Sequence, residues 1–209
     1  MTSEDDRVAR WDERYAQGDY LWDVVPNLFV ERLLADLPPG EAIDLAAGEG
    51  RNAVWLARRG WRVTAVDFSR VGLDKAARLA ADHDVAERVA TIHADALTWH
   101  PDHPVDLVVI AYLQLPSQER RVALEHAAGW LRPGGRVLVV AHDRSNLEHG
   151  YGGPPMPEVL YDLDETVAAL AGLEIELAEV AEREVETDEG PRIALDALVF
   201  AKRSEAQPR

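Results

Sequence analysis

The chain has 209 residues, of which 47% are hydrophobic, and this is enough for one domain with a complete apolar core. Its formal net charge is −16, from 38 acidic against 22 basic residues, and such a charge repels a nucleic-acid backbone. The sequence contains no cysteine, which excludes disulfides, thiolate metal sites and cysteine nucleophiles.

The predicted elements begin with two short helices. Val8, Trp11 and Tyr15 share one face of the first helix, and Pro26 begins the second. Beyond residue 40, strands and helices alternate. The predicted strands cover residues 41–46, 61–67, 88–94, 105–111 and 136–142, and the helices between them cover 51–59, 70–83 and 117–131. Pro133-Gly134-Gly135 is predicted as a tight turn into the fifth strand.

The C-terminal part has a different pattern. A helix over 164–171 leads to two long strands, 173–185 and 193–202, which the turn residues 187–191 join as a hairpin. Alternating strands and helices are typical of a parallel sheet covered on both faces, with ligands at the carboxyl ends of its strands. We therefore predict an α/β fold, Rossmann-like and doubly wound, whose mostly parallel seven-stranded sheet carries a C-terminal antiparallel hairpin.

The glycine turn after the first of these strands is the most informative motif. Gly48 and Gly50 allow backbone to approach a ligand closely, and Asp67 ends the next strand, where a carboxylate can accept from both ribose hydroxyls. Asp44 and Glu49 bracket the turn with negative charge. A pyrophosphate is an anion, so this turn is poorly suited to a dinucleotide. The pattern favours a cationic ligand, such as the sulfonium and amino groups of S-adenosylmethionine.

Two stretches resemble a known family. The run from Asp44 to Ala57 resembles motif I of the class I S-adenosylmethionine-dependent methyltransferases. Gly50-Arg51-Asn52 and the upstream Trp11–Tyr15 segment with Trp22 are similar to the thiopurine and tellurite-resistance methyltransferase-like branch. The resemblance extends from about Trp11 to the last strand. It implies a single methyltransferase domain over residues 1–203, with 1–40 as a helical lid segment and 204–209 as a tail.

The resemblance also implies which residues bind the cofactor. The aromatic residues of the N-terminal segment would cover the site, and Asp95 with Ala96 would meet the adenine edge; the alternative for Asp95 is a turn cap. The family has a glycine where this chain has Ala46, and an alanine there is expected to adopt a negative φ. The predicted cofactor-binding residues are Trp11, Tyr15, Trp22, Asp44, Ala46, Gly48, Gly50, Arg51, Asp67, Phe68, Asp95, Ala96, Leu97, Ala111 and Leu113.

The candidate catalytic residues are His142 and Tyr112. Tyr112 follows the fourth strand, and His142 opens an irregular stretch of about fifteen residues, a length at which loops are often functional. His142 could act as a base, contact substrate, or simply bond to backbone at the strand end. His100 and His103 have a spacing that suggests a metal, but a proline-flanked loop explains it better, and we predict no metal site.

These patterns predict an S-adenosylmethionine-dependent methyltransferase acting on a small molecule. A soft sulfur, selenium or tellurium nucleophile is the preferred acceptor, and an oxygen or nitrogen acceptor with His142 as base is the alternative. Two other classes stay open: an NAD(P)-dependent oxidoreductase and a non-catalytic S-adenosylmethionine-binding protein. Neither an apolar leader nor a membrane-length apolar run is visible, so a cytoplasmic protein without nucleic-acid or membrane partners is expected. The oligomeric state is not predicted.

Overall fold

The computed structural model describes residues 4–21 and 24–205. Within these residues seven strands form one sheet, in the order β3-β2-β1-β4-β5-β7-β6. The strands are β1 (Glu41–Leu45), β2 (Arg62–Asp67), β3 (Val89–His93), β4 (Val105–Ala111), β5 (Leu131–His142), β6 (Glu174–Val185) and β7 (Arg192–Lys202). The helices are α1 (Glu4–Tyr15), α2 (Leu28–Leu34), α3 (Arg51–Arg58), α4 (Arg70–Asp82), α5 (Ser117–Trp130), α6 (Asn146–His149) and α7 (Leu163–Ala169).

The sheet combines parallel and antiparallel pairing, as predicted. β1 pairs with β2, and β2 with β3, in parallel. β7 pairs antiparallel with β5 and with β6. The predicted fold class, a Rossmann-like α/β sheet with a C-terminal antiparallel hairpin, is therefore confirmed.

Contacts divide the chain into two compact units. The first contains residues 1–99 with Leu107–Val109, and the second contains His100–Asp106 with residues 110–209. The single domain over residues 1–203 stays a prediction.

The first unit is built around β1, β2 and the two helices that follow them. α3 is amphipathic, and its buried side chains include Ala53, Val54 and Leu56. α4 begins at Ser69, whose side chain accepts a hydrogen bond from the amide of Gly72 at 3.1 Å. Both helix starts therefore follow directly from the carboxyl ends of β1 and β2.

The second unit has its core on β5 and β7. Residues 137–140 of β5 are fully buried, which explains why this strand reads as a continuous apolar run. β7 is equally apolar between Ala194 and Ala201, apart from one charged residue, Asp196, which is 0% exposed. A buried carboxylate in an apolar strand requires partners, because an unpaired buried charge is costly.

β5 begins earlier than its sequence pattern predicts. Pro133, Gly134 and Gly135 lie inside the strand rather than in a tight turn before it. The reason is pairing with the C-terminal chain: Gly134 N–H donates to the Arg203 carbonyl at 2.9 Å, and Arg203 N–H donates to the Gly135 carbonyl at 2.8 Å. The predicted turn is therefore wrong.

No helix in the described ranges has both the length and the apolar character needed to cross a membrane. The cytoplasmic location stays a prediction.

Candidate active site

The turn between β1 and α3 has little room for side chains. Gly48 and Gly50 have φ values of 53° and 79°. A Cβ on Gly50 would lie 2.5 Å from the Ala76 Cβ of α4, and one on Gly48 would lie 2.5 Å from the Tyr15 hydroxyl of α1. Both glycines are thus required by positive φ and by close packing. The same packing brings Tyr15 onto the turn.

Ala46 does not adopt the negative φ expected from the sequence. Its φ is 62°, in the left-handed region that costs a non-glycine residue about 1–2 kcal/mol. The turn imposes this conformation, because the next residue, Ala47, donates its N–H back to the Val66 carbonyl of β2 at 3.0 Å. The expectation of an unstrained alanine is wrong.

Replacing Ala46 by glycine should therefore stabilise the protein by about 0.5–1 kcal/mol. Relief of about 1–2 kcal/mol of strain outweighs the roughly 0.4–1 kcal/mol lost to the greater freedom of the unfolded chain. Urea unfolding measures the difference. Ala42→Gly, at a buried β1 position outside the positive-φ region, is the matched control and should destabilise. Equal destabilisation by both variants would contradict the strain argument.

Asp67 lies at the carboxyl end of β2 and is held by backbone donors. Its two carboxylate oxygens accept from the amides of Gly48 and Ser69, each at 2.8 Å. Burial raises the pKa of Asp67 to about 6, although the bonds from Ser69 and Gly48 oppose the shift. The carboxylate is therefore mostly ionised at neutral pH. The hydrogen bond from Gly48 to Asp67 links the glycine turn to the end of β2. The contact of Asp67 with the ribose stays a prediction.

Asp44 supports the start of α3. Its side chain is 1% exposed and accepts from the amide of Ala53 at 3.0 Å, in the first turn of the helix. Burial raises the pKa of Asp44 to about 7, against the opposing bond from Ala53. Asp44 is thus bonded to a helix N-terminus, where a negative charge is favoured. Its contact with the cofactor stays a prediction.

Glu49 does not direct free negative charge at a ligand, contrary to the prediction. Both of its oxygens accept from the amide of Leu21, at 2.9 and 2.8 Å, and one lies 2.9 Å from the ammonium of Lys75. The reason is burial, because a carboxylate only 5% exposed must be paired and hydrogen-bonded. Of the two acids from which the sequence predicts a cationic ligand, Glu49 is neutralised by Lys75 and Asp44 remains.

The N-terminal segment is bonded to α4. Asp12 bonds the Ser69 hydroxyl, and Lys75 donates to the carbonyls of Tyr15 and Gly18. The rings of Trp11 and Tyr15 are 5.4 Å apart, and the Tyr15 side chain is buried against the glycine turn. Sequence reasoning did not find Lys75, which links this segment to Glu49. The lid role stays a prediction.

The remaining predicted cofactor residues of the first unit lie near the strand ends or helix start. Asp95 Oδ1 accepts from the Leu97 amide at 2.6 Å, which is the turn-cap arrangement. Ala96 is 7% exposed. Arg51 begins α3, and Phe68, half-buried, follows β2. Trp22 lies outside the described residues. The adenine contacts of Asp95 and Ala96 stay predictions.

A second group of predicted residues lies in the second unit, after β4. Ala111 ends the strand, Tyr112 follows with a φ of 59°, and Leu113 is buried. The Tyr112 hydroxyl donates to Asp196 Oδ2 at 2.9 Å, and the Tyr112 ring centroid is 4.8 Å from that of His142. A positive φ on a tyrosine is a strained conformation of the kind found at functional sites.

His142 ends β5 and contacts a buried carboxylate. Its Nδ1 is 3.1 Å from Asp196 Oδ1, while Arg183 Nε donates to Asp196 Oδ2 at 2.7 Å. Burial alone would raise the pKa of Asp196, but the contacts with His142 and Arg183 outweigh it and hold the pKa below its ordinary value. Asp196 and Arg183 are not among the residues predicted from the sequence. The available signal was the single acid in the apolar run of β7.

A small, partly open pocket lies beside this cluster in the second unit. Its lining includes Tyr112, Leu113, Gln114, His142, Pro154 and Tyr161. The Tyr161 hydroxyl donates to the Leu113 carbonyl at 2.9 Å and helps to fix the wall that follows β4. The two candidate catalytic residues therefore line one cavity.

The stretch after His142 is hydrogen-bonded to neighbouring elements. It contains α6, and the backbone of Asp143 forms an isolated parallel β-bridge with that of Tyr161. The buried Asn146 side chain accepts from the Leu195 amide at 2.7 Å and donates to the Gly152 carbonyl at 2.8 Å. These bonds to β7 and within the loop satisfy the polar groups that a free loop would leave to water. The predicted irregular loop therefore contains one short helix, and residues 150–156 lie outside any helix or strand.

The histidines of the loop before β4 have another environment. His100 Nδ1 lies 3.3 Å from the indole nitrogen of Trp130, and its ring packs against His126. Within the part of the chain that the structure describes, there is no cluster of three histidine or acidic side chains that could hold a metal ion.

Comparisons with known proteins agree with this geometry. Residues 42–135 match the family model of a methyltransferase domain. A demethylmenaquinone methyltransferase from Clavibacter sepedonicus is 32% identical over 74% of this chain and 57% of its own length. A thiopurine S-methyltransferase from Vibrio atlanticus is 24% identical over 90% of this chain and 91% of its own. A tRNA 5-carboxymethoxyuridine methyltransferase from Escherichia coli K12 is 31% identical over 56% of this chain and 47% of its own length.

Solved structures share the fold. The N-methyltransferase NodS from Bradyrhizobium japonicum, determined with S-adenosylhomocysteine, superposes with a TM-score of 0.72 over 95% of this chain and 98% of its own, at 16% identity.

The fold and the glycine turn with Asp67 agree with the predicted class I methyltransferase. The match of residues 42–135 to a methyltransferase domain, the methyltransferase relatives and the solved structure with S-adenosylhomocysteine support the predicted resemblance to class I S-adenosylmethionine-dependent methyltransferases and the predicted cofactor. The chain spans about half the length of two of these relatives, 57% of the demethylmenaquinone methyltransferase and 47% of the tRNA 5-carboxymethoxyuridine methyltransferase. Their names include both small-molecule and tRNA methyltransferases.

Proposed function

We propose that the protein transfers a methyl group from S-adenosylmethionine to an oxygen or nitrogen atom of a small molecule, with His142 as the base. The observation that carries the proposal is the contact between His142 Nδ1 and the buried Asp196, on the wall of a cavity. A histidine supported by a carboxylate is the usual arrangement of a general base. A soft nucleophile needs no such base.

The first unit supplies residues that fit the cofactor. In the proposal, Asp67, which is bonded to Gly48 and Ser69, accepts from the ribose hydroxyls, and the rings of Trp11 and Tyr15 lie near the sulfonium, which ring faces attract. When bound, the cofactor supplies an electrophilic methyl group on a positively charged sulfur. The protein contributes mostly position and the exclusion of water, because the transfer is a displacement at carbon.

The acceptor needs help from the protein when it carries a firmly held proton. A phenol has a pKa of about 10, so only a small fraction is ionised at neutral pH. Removing the proton during the transfer increases the nucleophilicity of the acceptor atom, and a positioned base contributes about 10²- to 10⁴-fold to such a step. Of the side chains that line this cavity, the imidazole of His142 is the one with a nitrogen lone pair that can accept a proton.

A small acceptor fits the charge of this chain better than a nucleic acid. The net charge of −16 opposes the binding of a phosphate backbone, which ordinarily requires clustered lysine and arginine. The relative named for a tRNA substrate makes tRNA the comparison that an assay has to include.

A soft sulfur or selenium acceptor is the second candidate. It is favoured by the thiopurine S-methyltransferase relative, which aligns with 90% of this chain. A thiol has a pKa of about 8.5 and ionises near neutral pH without a base. The two candidates therefore differ in their need for His142.

Transfer of labelled methyl from S-adenosylmethionine to a panel of acceptors tests the proposal. The panel contains a phenol, an amine, a thiol, selenite, a thiopurine and bulk tRNA. We expect label on the phenol or the amine, at least tenfold above the thiol, selenite and thiopurine arms. Label mainly on the soft acceptors would favour the second candidate. Label on tRNA would overturn the small-molecule proposal.

Calorimetry tests the cofactor part separately. We expect S-adenosylhomocysteine to bind with a dissociation constant near 1 μM, about −8 kcal/mol, and NADH to give no comparable heat. Tight NADH binding without S-adenosylhomocysteine binding would instead indicate a dinucleotide enzyme. Binding without transfer to any acceptor would favour a non-catalytic binding protein.

A further inference from the structure

We propose that Asp196 is a positioning residue that keeps the proton of neutral His142 on Nδ1, so that Nε2 carries the lone pair that accepts the proton of the methyl acceptor. Only one part of this inference rests on the proposed function, namely that the Nε2 lone pair accepts a proton from the methyl acceptor. The tautomer itself is a property of the second unit and can be measured without an acceptor.

The register of the sheet places the side chains of His142, Asp196 and Arg183 on one face. His142 and Asp196 are directly opposite in the antiparallel pair of β5 and β7. Asp196 is opposite Ala181 of β6, and Arg183 is two residues further along β6. Opposite and diagonal neighbours of an antiparallel pair point to the same face. The cluster is therefore specified by strand pairing rather than by a flexible loop.

The hydrogen bonds leave one oxygen of Asp196 for the histidine. Tyr112 Oη and Arg183 Nε both donate to Oδ2, at 2.9 and 2.7 Å. Oδ1 and His142 Nδ1 are both buried, 3.1 Å apart, and neither has a hydrogen bond of normal geometry to another described residue. An ionised carboxylate can only accept, so Nδ1 has to carry the proton for the pair to be satisfied. Arg183 supports the ionised form, since the pKa of Asp196 lies below its ordinary value.

The imidazole is also confined on its faces. The Tyr112 ring packs against it with centroids 4.8 Å apart and planes inclined by 40°. Gly153 has a φ of 78°, and a Cβ there would lie 3.0 Å from the imidazole carbons, so backbone approaches the ring closely. Of the two ring nitrogens, Nδ1 is the one that lies against Asp196. The ring is therefore oriented, with Nε2 available on a residue that lines the cavity.

The same bonds give Tyr112 a supporting role. Its hydroxyl proton is donated to Asp196 and is therefore not directed at an acceptor. Tyr112 was predicted as a catalytic residue, and the cluster assigns it instead to holding Asp196 and the face of His142.

Asp196→Asn is the decisive variant. Tyr112 and Arg183 still donate to one atom of this side chain, so the amide oxygen should take the place of Oδ2 and the amide NH₂ should face His142. The NH₂ group is a donor, which forces the proton of His142 to Nε2 and removes the lone pair from the cavity. Asp188→Asn, at an exposed position of the β6–β7 hairpin, makes the same change of charge and is the matched control.

Nitrogen NMR of ¹⁵N-histidine-labelled protein reads the tautomer, with His142→Gln assigning the signals. We expect the Nδ1-protonated tautomer in the wild type and in Asp188→Asn, and the Nε2-protonated tautomer in Asp196→Asn. If neutral His142 of the wild type is protonated on Nε2, the inference is wrong. This measurement needs no variant, so it tests the inference even if Asp196→Asn does not fold. An unchanged tautomer in folded Asp196→Asn would also overturn it.

Turnover with the acceptor found by the methyl-transfer panel gives the second readout. Asp196→Asn should lower kcat by about 10²- to 10⁴-fold and leave KM within about threefold, because the base is lost while the cavity keeps its shape. A flipped tautomer with unchanged kcat would show that the arrangement is only structural and would overturn the inference. The wild-type tautomer, read without any acceptor, tests the positioning claim separately. If the wild type shows the Nδ1-protonated tautomer but transfers methyl to no acceptor, the proposed function is contradicted. The positioning of His142 by Asp196 is then still supported.

Discussion

His142→Gln should lower kcat by about 10²- to 10⁴-fold with an oxygen or nitrogen acceptor while leaving the fold nearly as stable as the wild type. Glutamine cannot act as a base near neutral pH, so the contribution of a positioned base is lost. Its amide can still donate to Asp196 Oδ1, which would otherwise remain buried without a partner. His142→Ala lacks that donor and should in addition lose about 1–3 kcal/mol of stability.

Steady-state kinetics with a phenol and with a thiol acceptor check this expectation. Glutamine should affect the phenol reaction strongly and the thiol reaction less than about tenfold, since the thiolate forms without help. His149→Gln, on a side chain 71% exposed in α6, is the matched control and should behave as the wild type. Equal losses for both acceptors would make His142 a residue that orients the substrate rather than a base.

Asp67→Ala should weaken the binding of S-adenosylhomocysteine by about 2–4 kcal/mol, roughly 30- to 1,000-fold. The variant removes charge-assisted hydrogen bonds to the ribose hydroxyls. It also leaves the amides of Gly48 and Ser69 without their acceptor, so the glycine turn loses its support. Two effects therefore act together, one on the ligand and one on the shape of its site.

Calorimetry and urea unfolding separate these effects. Asp67→Asn keeps an oxygen acceptor for one of the two amides and should lose less stability than Asp67→Ala, while still losing the charge that strengthens the ribose bonds. Asp74→Ala, an exposed acid on α4 in the same unit, controls for the change in net charge. Wild-type affinity in a folded Asp67→Ala variant would show that Asp67 is not the ribose acceptor.

The positions of most strands and helices follow from local patterns in the chain. The apolar runs ending at Asp67 and Ala111 predict strands with the observed ends, and the period of α3 and α4 is clear from their buried residues. The place of the glycine turn is equally local, because two glycines between a strand and a helix indicate positive φ. The family and its cofactor could be predicted from these features together.

Other features depend on partners that are distant in sequence. The start of β5 depends on bonds between Gly134, Gly135 and Arg203 at the C-terminal end of the sheet. The pairing of Glu49 with Lys75 and Leu21 depends on how the N-terminal segment meets α4. Local composition shows the charge of a glutamate but does not show whether a lysine neutralises it.

By itself, the sequence determined the alternation of strands and helices, the glycine turn and Asp67, because hydrophobic period, turn residues and strand ends are local properties. Only the tertiary structure decided that Ala46 is left-handed and that His142 faces Asp196. The physical reason is that a turn's conformation depends on what the turn packs against, and a histidine's proton depends on the group opposite it. Strand pairing sets both, by joining segments that are far apart along the chain.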